Sequence, residues 1–220
     1  MGSRQIIIIL IIKLLPMSTL LKLKNVNLKY QTGKDNISVL KDINLTTKKK
    51  ETISIVGESG SGKIFFQEHE ITKLSEDQVS KIRKKNIGII FQSFYLIPNY
   101  SALENVTLIL ELNGFKNPDK EAKSLLDRFG LKHRLHNLPS QLSGGEQQRV
   151  AIARAIAMKP ELILADEPTG NLDTENSNMI SKILFSYVKE EGSSLIMVTH
   201  DLKLANRSTR KVKIKDGKIK

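Results

Sequence analysis

Thr52-Ile53-Ser54-Ile55-Val56-Gly57-Glu58-Ser59-Gly60-Ser61-Gly62-Lys63 joins a β-branched run to a glycine-rich loop that ends in lysine. Gly57, Gly62 and Lys63 meet the spacing G-x-x-x-x-G-K, in which backbone N–H groups surround a polyphosphate and the lysine neutralises its terminal oxygens. On that reading Gly57, Glu58, Ser59, Gly60, Ser61, Gly62 and Lys63 are the candidate nucleotide-binding residues. The next position breaks the pattern. A Ser or Thr hydroxyl is wanted there to hold Mg²⁺, followed by a helix whose N-terminus faces the phosphates, but the chain continues Ile64-Phe65-Phe66.

Working outward, a chain of 220 residues with 40% hydrophobic content can bury one good core, which points to one domain with subdomains. It contains no cysteine, which excludes disulfides, thiolate metal sites and cysteine nucleophiles. The net charge of +12 raises nucleic acid or an anionic membrane as partners. Lysines such as Lys22, Lys24, Lys29 and Lys41 are scattered, however, and scattered lysines on solvated faces need no partner, so no nucleic acid is expected. Ile6 to Ile12 is a continuous aliphatic run, too short to span a bilayer, which takes roughly 20 apolar residues as a helix. Residues 1–16 are therefore expected to be an extension outside the fold, with a peripheral anchor as the alternative. Residues 17–220 form the expected domain.

Leu21 to Tyr30 and Val39 to Leu45 alternate apolar and polar residues, with turn formers around Gly33 and Asn36, as in an antiparallel pair. Ile64 to Gln67 reads as a short strand, Ser75 to Lys85 as a polar helix capped by Ser75, and Ile87 to Phe91 as a buried strand ending at Gln92. Ser101 with Glu104 is a capping box, and Gly114 stops the helix it opens. Pro118 starts another helix, which ends at Gly130. Val150, Ile152, Ala153 and Ile156 recur at helical spacing between Glu146 and Met158. Leu162 to Ala165 is an apolar strand ending in Asp166-Glu167, Asn178 to Val188 an amphipathic helix, and Ser194 to Thr199 a last strand ending at His200. Alternating strands and helices predict an α/β fold with a mainly parallel sheet, an N-terminal antiparallel β subdomain and an inserted helical subdomain at about residues 95–145. In such sheets ligands sit at the carboxyl ends of strands, where Gln92, Asp166, Glu167, His200 and the glycine loop all fall.

Two carboxylates at the end of an apolar strand suit metal holding by Asp166 and water activation by Glu167 once a phosphate loop is near. Leu142-Ser143-Gly144-Gly145-Glu146 opens a helix with serine and two glycines, which is either a generous N-cap or an anion site of bare amides. Glu68-His69-Glu70 and the pair His133 and His136 lack a full metal-ligand set.

Leu142-Ser143-Gly144-Gly145-Glu146-Gln147-Gln148-Arg149 resembles the signature sequence of ABC-type ATPases, and the resemblance extends from Leu21 to Lys220. It implies a P-loop ATPase core binding ATP and Mg²⁺. Gln92 resembles the glutamine that links the metal site to the transport partner, Asp173 in Asn171-Leu172-Asp173 the loop that crosses a dimer interface, and His200 the histidine that contacts the γ-phosphate. Tyr30 lies where the family places an aromatic residue against adenine. Ala165 to Asp173 looks most like the branch serving lipoprotein release, macrolide export and the cell-division permease. The implied assembly is a head-to-tail homodimer, in which Ser143, Gly144 and Gly145 of one copy close over ATP on the other. It powers a separate integral membrane permease from the cytoplasmic face. The chain departs from the family directly after Lys63, where a hydroxyl residue and a helix are missing, so weakened or absent ATPase activity is expected. The alternatives are a non-catalytic remnant docking a permease and an ABC-type protein of nucleic acid or the ribosome.

Overall fold

The computed structural model of the protein describes residues 19–32, 35–56, 61–67, 69–70 and 73–220. The extension up to Pro16, the turn residue Gly33, loop residues Gly57 to Gly60 and Glu68 lie outside the described residues. In chain order the strands are β1 (Thr19–Thr32), β2 (Asp35–Lys48), β3 (Thr52–Val56), β4 (Ser61–Phe66), β5 (His69–Glu70), β6 (Ile87–Ile90), β7 (Leu162–Asp166), β8 (Ser194–Val198), β9 (Arg210–Lys215) and β10 (Lys218–Ile219). The helices are α1 (Glu76–Asn86), α2 (Ala102–Glu111), α3 (Pro118–Arg128), α4 (Gly144–Ile156), α5 (Thr174–Glu191) and α6 (Leu202–Ala205). They fall into two units, Met1–Lys84 with Ser194–Lys220, and Lys85–Ser193.

In the first unit, β1 and β2 pair antiparallel from Thr32↔Asp35 to Thr19↔Lys48. The expected pair is present and longer than its apolar alternation. The register shifts between Thr19 and Leu21, and such an irregularity lets the consecutive residues Leu20 and Leu21 both be buried. The sheet order is β2-β1-β4-β5. The expected strand at Ile64 is found, but it begins at Ser61 and so takes in Gly62 and Lys63. The reason is the ladder to β1, which continues past Ile64 to Lys24↔Lys63 and Asn27↔Ser61.

In the same unit β3 runs parallel to β8 and to β9, with Ile55 opposite both Val198 and Val212. Its buried hydroxyls are paired: Ser54 Oγ lies 2.6 Å from Ser208 Oγ, and Thr52 Oγ1 accepts from Thr209 N at 2.8 Å. Helix α1 follows its Ser75 cap as expected, with Gln78 N donating to Ser75 Oγ at 3.4 Å.

In the second unit β6 and β7 are parallel, from Ile87↔Leu162 to Ile90↔Ala165. Helix α4 supplies Val150, Ile152, Ala153 and Ile156, all at most 1% exposed. The capping box at Ser101 and Pro118 at the start of α3 are as read, and both helices end beside glycines with positive φ, Gly114 and Gly130. Helix α5 begins earlier than its apolar pattern, because Asp173 caps it and its first turns are polar.

The unit closes tightly at Gly88. A Cβ built there would lie 2.4 Å from the Ala155 carbonyl oxygen and 3.0 Å from Pro160 Cγ. The first of these is helix backbone and cannot rotate away. Gly88→Ala is expected to destabilise the protein by about 1–3 kcal/mol, read as a lower thermal midpoint. An unchanged midpoint would contradict this contact.

Candidate functional site

Strand β7 is apolar and buried as far as Ala165, so the first residues able to meet water are Asp166 and Glu167. The chain then turns sharply. Glu167 has φ +43°, and Gly170 N donates to the Glu167 carbonyl at 3.0 Å. A Cβ on Gly170 would sit 2.9 Å from Gln92 Nε2 and 3.2 Å from Glu167 Cβ. The bare glycine is thus what lets Gln92, delivered from the end of β6, reach the acidic turn. Asn171 fastens it there: Gln92 Nε2 donates to Asn171 Oδ1, and Asn171 Nδ2 returns a bond to the Gln92 carbonyl, both at 3.1 Å.

The serine-glycine segment is an N-cap with a closed capping box. Glu146 N donates to Ser143 Oγ at 3.2 Å, and Ser143 N donates to Glu146 Oε2 at 2.8 Å. Arg134 Nε holds the other carboxylate oxygen at 2.8 Å. Burial alone would raise the Glu146 pKa, but the Ser143 amide, the Arg134 guanidinium and the Ser143 hydroxyl outweigh it and hold the carboxyl below the usual range. Gly144 is exposed, while Gly145 packs so closely that a Cβ would meet Asn176 Oδ1 at 2.1 Å. Asn176 in turn gives its backbone N–H to Asp173 Oδ1 at 2.9 Å and its side-chain amide to Asp173 Oδ2 at 2.6 Å. These bonds hold the Asp173 carboxyl below its usual pKa.

Within this unit Gln92 meets the turn that holds Glu167 through Gly170 and Asn171, and Gly145 meets Asp173 through Asn176. Sequence reasoning missed the residues that make the links. Gln148 Nε2 donates to the Pro168 carbonyl at 2.6 Å, tying α4 to the acidic turn. Arg154 donates to the carbonyls of Tyr95 (2.7 Å) and Phe94 (3.0 Å), fixing the left-handed backbone just past Gln92. Asn105, fully buried, binds Ile97 N, 2.8 Å from its Oδ1, and also the carbonyls of Ile97, Tyr100 and Ser101. The only local signal for these is a polar residue on an otherwise apolar helix face.

The other candidates belong to the first unit. His200 follows β8, whose end is bound to β3 by Thr199 N donating to the Ile55 carbonyl at 3.2 Å. Asp201 caps α6. Tyr30 lies in β1 opposite Ile37. Ser61, Gly62 and Lys63, expected in the loop, are placed in β4. Strand N–H groups alternate between the two sides, and Ser61 to Lys63 share that alternation. For Mg²⁺, Asp166 and Gln92 offer oxygen donors, but Ile64 brings none where a hydroxyl was wanted.

The profile of the ABC transporter family matches residues 40–170. The chain belongs to the ABC transporter family. It is an ATP-binding subunit of the ATP-hydrolysing class, and the α/β fold read from the sequence is the fold of that family's cassettes. It is 41% identical to the lipoprotein-releasing system ATP-binding protein LolD of Idiomarina loihiensis, covering 90% of this chain and 95% of that one. It is 40% identical to YbbA of Escherichia coli, an uncharacterized ABC transporter ATP-binding protein, covering 93% and 98%. Among solved structures, a dimeric post-hydrolysis state of the ATP-binding cassette MJ0796 bound to ADP and Pi superposes with a TM-score of 0.82 at 36% identity, over 90% of this chain and 96% of that one.

The capping box of this ABC transporter subunit has a pH signature. Because the folded pKa of Glu146 is depressed below 4.5, its contribution is fully present above the unfolded value and is lost as pH falls through the folded one. Glu146→Gln is expected to lower stability near pH 7 by about 1–2 kcal/mol and to flatten the loss on acidification. Thermal midpoints measured from pH 7 to pH 3 check this, and equal acid sensitivity of both proteins would contradict it.

Proposed function

We propose that this chain is the nucleotide-binding subunit of a transporter whose membrane permease is a separate polypeptide, working as a head-to-tail homodimer at the cytoplasmic face of the membrane. Among the described residues no helix is long and apolar enough to cross a membrane, which leaves the crossing to a partner. The observation that carries the reading is the cluster in which Gln92, Asn171, Gly170 and Glu167 meet at the ends of β6 and β7. It joins a carboxylate able to take a proton from water to a glutamine held in a loop that can sense a partner.

In this reading Glu167 accepts the proton of the attacking water while the bond from the γ-phosphorus to the departing ADP oxygen breaks. His200 contacts the γ-phosphate, and Tyr30 stacks on adenine. Ser143, Gly144 and Gly145 of one copy face ATP held by the other, and Asp173 lies at the crossing between copies. Mg²⁺ would be held by Asp166 and Gln92 and would supply charge neutralisation between the β- and γ-phosphates. With Ile64 in place of a hydroxyl residue that ligand set is incomplete, so turnover is expected to be slow. A second reading, a subunit that docks a permease without hydrolysis, is favoured by the same substitution.

Phosphate release from Mg-ATP separates them. The purified chain is expected to turn over at least about a hundredfold more slowly than a complete relative, the loss of several kcal/mol of metal-assisted stabilisation. Turnover equal to that relative, abolished by Glu167→Gln, would overturn the impairment.

A further inference from the structure

We propose that Lys63 is a residue of the antiparallel sheet and not a phosphate ligand, and that Ser61, Gly62 and Lys63 belong to β4 and not to a nucleotide cradle. The inference rests on reading the chain as an ATP-binding subunit and concerns the same site.

The register is the first argument. Strand β4 pairs with β1 as Leu21↔Phe66, Lys22↔Phe65, Leu23↔Ile64 and Lys24↔Lys63. Phe66 and Leu21 are 3% and 1% exposed. A slip of one residue would carry Phe66 to the opposite face of the sheet, so this buried pair fixes the ladder, and the position of Lys63 follows from it. In an extended strand successive N–H groups point to opposite sides, whereas a cradle needs successive N–H groups to converge on one anion.

The second argument is the missing helix. A phosphate loop aims its ligand at the N-terminus of the helix that follows. Here the lysine is followed by the rest of β4, and the next helix is α1. That helix is closed by its Ser75 cap and carries Glu76 and Asp77 in the first turn. Carboxylates at that end occupy the place an anion would take and repel a triphosphate.

Lys24 and Lys63 occupy directly opposite register positions, and like charges at such positions destabilise a sheet. This gives a test that does not depend on activity. In the full chain, Lys63→Glu is expected to raise the thermal midpoint by about 1–4 °C, Lys24→Glu to do the same, and the double variant to lose the gain. That non-additivity reports direct coupling. If Lys63→Glu fails to fold, Lys63→Thr, which suits a strand, is expected to leave the midpoint unchanged or raise it. In parallel, titration with a fluorescent ATP analogue and Mg²⁺ is expected to give the same curve for the wild type and the Lys63 variant, whether that curve shows weak binding or none.

Strictly additive midpoint shifts, or saturable binding that the Lys63 variant abolishes, would overturn the inference. Normal phosphate release with Lys63-independent binding would overturn the impairment proposed above and leave the placement of Lys63 standing.

Discussion

Helix α4 is the constraint on which the second unit depends. Val150, Ile152, Ala153 and Ile156 on it are buried, and so are two of its polar residues. Gln148 is 1% exposed and Arg149 is 9% exposed. A buried polar group must find a partner or carry a penalty of about 1–3 kcal/mol, so α4 binds the surrounding loops. Its N-terminus closes the Ser143 box, Gln148 holds Pro168, Arg149 donates to the Met179 sulfur at 3.0 Å, and Arg154 holds Phe94 and Tyr95. Those loops bear the acidic turn, the start of α5 and the segment after Gln92. The helix that builds the core therefore also sets the geometry of the candidate site. Part of the cost remains: Gln148 Oε1 and Arg149 Nε have no hydrogen-bond partner among the described residues.

Much of this was legible in the sequence because the signals are local. An apolar run ending in two acids can only be a buried strand reaching the surface, and β7 is that strand. The capping box at Ser101 is written within four positions of sequence and closes as read, and Ser143, read as an N-cap or an anion site, caps its helix with a box of its own. What was illegible is pairing across distance. Gln92 and Asn171 are separated by 79 positions, and Arg154 and Tyr95 by 59. No period relates them. The start of α5 was hidden for a different reason: its first turns are polar, and only the Asp173 cap marks where it begins. Strands β9 and β10 passed unread because lysine-rich alternation in Lys211, Lys213 and Lys215 leaves a weak apolar stripe.

Charge follows the same division. The excess of lysine is carried on exposed positions such as Lys24, Lys41, Lys211 and Lys213, where each side chain is solvated and none defines a binding face by itself. Helix α1 is an extreme case, with no buried residue, acids in its first turn and a basic end. Its stability then comes from its cap and from alignment of those charges with the helix dipole, since it buries no apolar face against a core.

Ser61, Gly62 and Lys63 stand between two local demands. Three residues can satisfy a phosphate-loop pattern or begin a strand, because glycine tolerates both and a pattern records only spacing. The two outcomes make incompatible demands on the same N–H groups, convergence in one and alternation in the other. Downstream, Phe66 is buried opposite Leu21, and burying an aromatic side chain stabilises by about 1.5–3 kcal/mol. That term is local, and it does not depend on whether nucleotide is present. A ligand can recover the loop only by outbidding the sheet at each residue it withdraws from β4, and Ile64 offers it no metal bridge with which to do so.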